Sequence, residues 1–522
     1  MITCTINGQE VTAPAGTTIL EAARLAGIRI PTLCYLKGIN EIAACRMCVV
    51  EVTRARTLMA ACTTQITPGM EIQTHSPKVV ASRRRTLTLL CQDHHLDCEY
   101  CPRFSDCELH TLFVEHAIPD RRIGDYSRSP DLDQTAPHLI RDTSRCVLCR
   151  RCVSACRAQG IHAIDILGRG RDAAIGSPFG LGNSNCIHCG ACIAACPTGA
   201  LFTTNEVPAL RRALEYKDRH VIALIEPAVY AALGESFREP IGTDARGKTA
   251  AFLRAVGFEG VYDLSREDDG RLAELRAVFL HPESCSDSGI PSDSSSKSCF
   301  NEGFPDGCVD TAGTRRFPLI SSVDPAVVSY AELNHPAWEA NLSRLPYPAA
   351  AVAGRIRQES AERLGCRPEE VVIASVSGSV AQKAKPDPEI DIQLTTRELA
   401  KYLRIASVSL STSLEVWRRI EPAAYDNEDR PVTTFLPLPD PEGAPVGTEL
   451  LLDGTRVKAC VVSGLVNGLQ YLEAIKQGRT SCDYLEIWAN TGGPLAGGGQ
   501  PRHDRPLANE LCVAAQRAKA LA

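Results

Sequence analysis

The sequence predicts a multidomain protein built from α+β and α/β domains, and three observations carry that expectation. Its 522 residues suggest three or four domains and leave ample length for a sizeable core. Its 24 cysteines are an outlying number, and most fall in short-spaced groups within the first two-fifths of the chain. The last three-fifths contains a stretch of helical periodicity, 349–364, closed by Gly365 with Pro368 beyond, then the apolar run VVIASV at 371–376. Helix followed by apolar strand is the pattern of an α/β domain.

Composition narrows the class. Hydrophobic residues make up 44% and charged residues 23%, ordinary for a soluble globular protein. A net charge of −6 gives no reason to expect nucleic acid or an anionic membrane as a partner. No apolar run reaches the roughly 18 residues of a membrane helix, and the best stretch, 221–233, is broken by Glu226 and Pro227. The opening MITCTINGQEV has no basic n-region, apolar h-region or twin arginine, so a cytoplasmic location is expected. In such a chain, clustered cysteines suit metal thiolates better than disulfides, because a C-x2-C loop turns both sulfurs toward one centre.

Residues 1–75 open with an alternating strand closed by Asn7-Gly8, a hairpin signal, and a second strand near 9–13. Thr18 and Glu21 form a capping-box pattern ahead of a helix over 19–26, which Gly27 ends. Cys34, Cys45, Cys48 and Cys62 follow as C-x10-C-x2-C-x13-C. A loop giving three thiolates and a later strand end giving a fourth suit a 2Fe–2S centre, and the order of elements looks like a β-grasp ferredoxin. A structural zinc site is the alternative, but zinc sites usually pair two tight hooks.

Residues 76–140 begin with a basic amphipathic helix, VVASRRRTLTLLCQ, and continue into H-x3-C-x2-C-x5-C: His94, Cys98, Cys101 and Cys107. The pattern predicts a 4Fe–4S centre with one histidine and three cysteine ligands. Imidazole in place of a thiolate lowers the negative charge and raises the potential. His95 is the competing imidazole, and spacing favours His94. Residues 141–204 carry CVLCRRCVSAC and CIHCGACIAACP, two copies of C-x2-C-x2-C-x3-C. In the bacterial two-cluster ferredoxin the fourth cysteine of each run serves the other cluster. One 4Fe–4S set is then Cys146, Cys149, Cys152 and Cys196, and the other is Cys156, Cys186, Cys189 and Cys192. Pro197 follows the second run as usual, whereas Arg157 stands after the first. One 2Fe–2S and three 4Fe–4S clusters are expected in all.

This order of modules resembles the iron–sulfur subunit of respiratory complex I and the multicluster iron-only (FeFe) hydrogenases. Residues 205–522 resemble the hydrogenase-like α/β domain of the second family, through IEPAVYAALGESF (225–237), GKTAAFLRAVGFEGVYDL (247–264), NLSRLPYP (341–348), TTREL (395–399), VVSGLVNGLQYLEAI (461–475) and GGGQP (497–501). The resemblance implies a catalytic H-cluster held by cysteines in three motifs, and this chain departs from all three. A Thr-Ser-Cys-Cys-Pro motif stands here as Ser321-Ser322-Val323-Asp324-Pro325, with Val323 at the proton-relay position and Asp324 at a ligand position. Met-Pro-Cys-x-x-Lys stands as Ser377-Gly378-Ser379-Val380-Ala381-Gln382, with Ser379 for the ligand and Gln382 for the lysine. Cys-x-Gly-Gly-Cys stands as Asn490-Thr491-Gly492-Gly493-Pro494, and the segment after Tyr425 lacks the usual Gly-Gly-Val-Met-Glu-Ala helix start. A cluster needs soft donors, so no H-cluster and no hydrogenase activity are expected.

Nine cysteines lie outside these sets. Cys4, Cys91, Cys366, Cys460, Cys482 and Cys512 are isolated in sequence and read as small packed hydrophobes. Cys285, Cys299 and Cys308 lie in a Ser/Asp/Gly-rich insertion over 282–315, and with His281 they make H-x3-C-x13-C-x8-C. That is either a loop or an added cluster or zinc site.

No dinucleotide fingerprint, phosphate loop or nucleophile elbow is present. Clusters carry one electron at a time, so a flavin on another subunit must split a hydride. The resemblance implies an iron–sulfur electron-transfer subunit of a flavin-based electron-bifurcating complex, with an NAD(P)H/ferredoxin transhydrogenase as the leading expectation. Its partners would be an NADH-dehydrogenase-type FMN and iron–sulfur flavoprotein, a small thioredoxin-like 2Fe–2S subunit, and ferredoxin. A relay in a formate dehydrogenase or nickel–iron hydrogenase complex is the next expectation. A hydrogenase with unusual ligands and a cluster-assembly scaffold are the remaining two.

Overall fold

The structure is a computed structural model that describes residues 1–103, 107–118, 131–216, 218–240, 243–267, 270–280, 318–406, 410–430, 440, 443–453, 455–490 and 493. His281, Cys285, Cys299, Cys308, Pro494 and Cys512 lie outside the described residues. The chain divides into two compact units: residues 1–186 with 191–204, and residues 187–190 with 205–522.

The first unit starts with β1 (Ile2–Ile6), β2 (Gln9–Ala13), α1 (Ile19–Leu25), β3 (Val49–Val52), β4 (Met59–Ala60) and β5 (Glu71–Gln73). They form a mixed sheet of order β2-β1-β5-β3-β4, with β1 parallel to β5 and antiparallel to β2. The hairpin turns where Asn7 and Gly8 both have positive φ, as its residues suggest. Ile6, Ile19, Leu20, Val50 and Ile72 fill the core between α1 and the sheet. Only half of the expected capping box forms. Thr18 accepts from the Glu21 amide, but the Glu21 carboxylate instead pairs with Tyr35, Arg24 and Lys37. Two cations and a phenol hold it more strongly than one backbone amide would.

Helices α2 (Pro77–Asp93) and α3 (Glu108–Glu115) pack on this domain through Leu33, Met47, Leu87, Cys91 and Leu112. Arg83, in the basic run of α2, is 1% exposed and donates to the Val49 carbonyl at 2.8 Å. Next come β6 (Leu132–Asp133), β7 (Leu139–Asp142), α4 (Arg151–Ala158), β8 (Asp165–Leu167), β9 (Ala174–Gly176), α5 (Ala191–Ala195) and β10 (Leu201–Thr203). Strands β10, β7 and β6 form a small sheet, and α4 and α5 pack together.

The second unit holds α6 (Val207–Glu215), β11 (His220–Ile225), α7 (Pro227–Leu233), α8 (Arg246–Ala255), β12 (Gly260–Asp263), α9 (Arg271–Leu280), β13 (Leu319–Ile320), α10 (Pro325–Asn334), α11 (Pro348–Leu364), β14 (Val371–Ser377), β15 (Ile392–Thr395), α12 (Thr396–Ala406), α13 (Leu410–Arg419), β16 (Val446–Leu452), β17 (Thr455–Ser463), α14 (Leu465–Lys476) and β18 (Tyr484–Trp488). One sheet, β12-β11-β14-β15, is all parallel. Val221, Ala223 and Ile225 face the core shared with α7, α8 and α12, while Ile222 and Leu224 face α11. Both faces are covered, which is why these strands read as unbroken apolar runs. The other sheet has the order β13-β18-β17-β16, antiparallel only at β16. Among the described residues no helix is long and apolar enough to cross a membrane.

Trp417 on α13 is fully buried, stacks on Phe237 at 4.4 Å and donates to Glu239 at 3.1 Å. Trp417→Ala should cost about 3–5 kcal/mol of stability in urea unfolding, as large aromatic truncations do. Glu235, two residues before Phe237, has its carboxyl pushed up to about 7 by burial. Its protonated form is favoured in the folded state, so its stability contribution is full below the unfolded value and is lost as pH rises through 7. Glu235→Gln should flatten that fall in unfolding curves taken from pH 5 to 8.

Candidate cluster sites

Loops that point several thiols at one centre must bend more sharply than most residues allow. The backbone of the cysteine loops shows this. Ala43 and Arg46 flank Cys45 at positive φ, and Leu148 and Arg150 flank Cys149 in the same way. His188 and Gly190 repeat that arrangement around Cys189. Left-handed backbone costs a non-glycine residue roughly 1–2 kcal/mol, and such strain concentrates where a site needs it.

In the first domain the four thiols meet two and two. Cys48 and Cys62 are hydrogen-bonded at 3.2 Å, and Cys34 and Cys45 also share a hydrogen bond. The Cys45 thiol thereby draws Cys34 down to about 7, and Cys62 does the same for Cys48. Two pairs suit a rhomb of two irons, each needing two thiolates.

His94 follows α2 directly, in extended conformation and 6% exposed, while His95 is half-buried. Cys98 and Cys101 lie on one turn, where the Cys101 amide donates to the Cys98 carbonyl at 3.1 Å. Cys107 caps α3, its sulfur accepting from the His110 amide at 3.5 Å. Burial raises the Cys107 thiol to about 11. Cys146, Cys149, Cys152 and Cys196 line one cavity together with Val147, Pro197 and Leu201. That cavity brings the last cysteine of the second run to three of the first. Cys156, on α4, accepts from the Ala163 amide at 3.2 Å, and Cys192 lies on the packed helix α5. Among the described residues no three His, Cys, Asp or Glu side chains converge as tightly as one metal ion requires. A 4Fe–4S cluster asks for something looser, because each thiolate binds a different iron. The donors, all thiols and one imidazole, fit iron–sulfur clusters.

Two side chains tie these loops together, and spacing alone does not reveal them. Asn40 is 1% exposed and donates to the Cys34 carbonyl at 2.7 Å and the Cys149 carbonyl at 3.1 Å, while accepting from Ser154. Arg103 donates to the carbonyls of Ile193, at 2.7 Å, and Cys196, at 3.0 Å. Their only sequence signal is a polar residue within a few positions of a cysteine.

The residues that the sequence reading set against the hydrogenase motifs lie in the second unit. Asp324 is buried and caps α10, accepting from the amides of Ala326 at 3.0 Å and Ala489 at 2.9 Å. Ser379 accepts from the Ala381 amide, and Gln382 donates to Glu226 at 2.5 Å. Ser377 donates to the other Glu226 oxygen, and the side-chain amide of Asn490 donates to the Cys189 carbonyl at 2.8 Å. Burial raises both Glu226 and Asp324. This donor set is hard, short and already hydrogen-bonded. It does not fit an H-cluster.

Four family models match successive segments of the chain. A 2Fe-2S iron-sulfur cluster binding domain matches residues 1–77, and the NADH-ubiquinone oxidoreductase-G iron-sulfur binding region matches 83–122. A 4Fe-4S dicluster domain matches 145–200, and the C-terminal domain of the iron only hydrogenase large subunit matches 219–428. The chain is 31% identical to NADP-reducing hydrogenase subunit HndD of Solidesulfovibrio fructosivorans, over 96% of this chain and 89% of that one. It is 25% identical to iron hydrogenase 1 of Clostridium pasteurianum over 96% and 89% of the two chains. It is also 36% identical to an NADH-quinone oxidoreductase subunit of Rhizobium meliloti, but over 39% of this chain and only 24% of that one.

Exchanging the imidazole tests the second module. His94→Cys should keep its cluster and lower its potential by on the order of 100 mV, since a thiolate adds negative charge. His94→Ala should weaken or lose the cluster, and His95→Ala should leave it unchanged, each read by EPR-monitored redox titration.

Proposed function

The chain belongs to the family of iron-only hydrogenase large subunits, and from that premise we propose that it works as an electron relay without hydrogen chemistry of its own. Within a multi-subunit oxidoreductase it would hold one 2Fe–2S cluster, on Cys34, Cys45, Cys48 and Cys62, and three 4Fe–4S clusters. Those three would use His94 with Cys98, Cys101 and Cys107; Cys146, Cys149, Cys152 and Cys196; and Cys156, Cys186, Cys189 and Cys192. When bound, these groups supply one-electron transfer. The chain's own side chains orient the ligand loops, keep them from water and place amide hydrogens against the sulfurs.

One contrast carries the proposal. The N-terminal modules offer four donors, thiols and one imidazole, for each proposed cluster, whereas Asp324, Ser379 and Asn490 have their side chains committed to protein hydrogen bonds. Electrons then have to enter and leave through other subunits. The reading that fits best is a flavin-based electron-bifurcating NAD(P)H/ferredoxin transhydrogenase. A flavoprotein of NADH-dehydrogenase type and a small thioredoxin-like 2Fe–2S subunit would complete it. Matches to a hydrogenase named as NADP-reducing and to a component of an NADH-quinone oxidoreductase support a pyridine-nucleotide complex.

Anaerobic purification from the native host tests this. The expected result is copurification with a flavoprotein, NAD(P)H-dependent ferredoxin reduction, and no hydrogen-dependent dye reduction even after maturation with the diiron insertion machinery. Hydrogen uptake by the isolated chain would sink the proposal. Copurification with a formate dehydrogenase or nickel–iron subunit would reassign the second substrate, and a free monomer that donates clusters would favour the scaffold reading.

A further inference from the structure

Cys460 and Cys482 are 22 positions apart and belong to none of the cluster ligand sets. They read as isolated in sequence, and the fold overturns that. Strand β17 carries Cys460, and Cys482 lies two residues before β18, its parallel neighbour. The register pairs Cys460 with Leu485, and Cys482, just before β18, reaches back to β17: its sulfur lies 3.6 Å from the Lys458 carbonyl oxygen, beside the Cys460 thiol. Three further features frame the pair. The Tyr471 hydroxyl lies 3.2 Å from the Cys460 sulfur, and the Cys482 sulfur lies 2.9 Å from the Tyr484 carbonyl oxygen. Opposite Cys460 on β16 stands Gly447, so no side chain crowds the sulfur from that strand. The pair is buried, but Cys482 adjoins an exposed turn over 477–481 that includes Gly478 at positive φ.

We infer that Cys460 and Cys482 form a reversible dithiol–disulfide couple that exchanges with low-molecular-weight disulfides. The Cys460 thiolate attacks one sulfur of the small disulfide, forming a mixed disulfide and releasing one small thiolate. Cys482 then loses its proton to solvent and attacks the Cys460 sulfur, closing the protein disulfide and expelling the second small thiolate. Two thiols are oxidised, one small disulfide is reduced to two small thiols, and two electrons move. Cys460 is suited to be the attacking group, because hydrogen bonds from Cys482 and Tyr471 hold its thiol down to about 6. Opening of the 477–481 turn admits the reagent. The closed bond ties β17 to the entry of β18 across α14.

The test uses the full-length, cluster-loaded protein under anaerobic conditions, equilibrated in glutathione buffers of rising oxidised-to-reduced ratio. Free thiols are alkylated before peptide mass spectrometry. Cys460 and Cys482 should lose alkylation together, appear as one cross-linked pair and recover in reduced glutathione. The oxidised form should melt several degrees higher, as a closed loop predicts. In Cys482→Ser, Cys460 should accumulate as its glutathione mixed disulfide. Tyr471→Phe, which removes only a hydroxyl, should slow the capture of Cys460. Two thiols that stay alkylatable across the whole range would overturn the inference. So would two thiols that are glutathionylated separately without cross-linking.

Discussion

Packing thiols around a common centre forces the chain into tight turns, and those turns leave peptide groups that the loop itself cannot satisfy. Most of the organisation of the first unit answers that constraint. Non-glycine residues at 46, 148 and 150 accept left-handed backbone, because that conformation keeps neighbouring cysteines facing inward. The carbonyls left over are taken by side chains from elsewhere in the unit: Asn40 on Cys34 and Cys149, Arg103 on Ile193 and Cys196, Arg83 on Val49. Each of the three is buried, where an unmade hydrogen bond costs most.

The second unit solves a related problem in reverse. Asp324, Ser379 and Asn490, which the sequence reading set against the hydrogenase motifs, each close a hydrogen bond within the protein. Asp324 serves at once as the cap of α10 and as the acceptor for the amide just beyond β18. Glu226 gathers Ser377 and Gln382 from the end of β14 and the loop beyond it. At the end of the doubly covered parallel sheet these polar side chains therefore satisfy one another.

How legible this was depended on range. Cysteine spacing is local, so the cysteine groups stand out in the sequence, and the hairpin at Asn7-Gly8 and the helix stop at Gly365 are equally local. The all-apolar strand at 371–376 was legible because burial on both faces removes alternation. Longer-range features were not. Glu21 carries a capping-box signature, yet its carboxylate goes to Tyr35 and Lys37, which only the tertiary fold brings near. Asn40 and Arg103 resemble any surface polar residue until partners 109 and 90 positions away are known. Cys460 and Cys482 come together only once β17 and the segment before β18 lie side by side, which composition does not encode.

The position of Asn40 has a consequence for how the protein is made. A single amide nitrogen holds the carbonyl of Cys34 in one ligand loop and that of Cys149 in another, while its oxygen holds Ser154 on α4. Anything that orders one loop therefore shares its free energy with the other, and disorder in one is felt by its neighbour. With the proposed clusters in place, maturation of the two sites would be a joint event: loading the first would prepare the scaffold for the second, and a chain missing one cluster would be handicapped in acquiring the next.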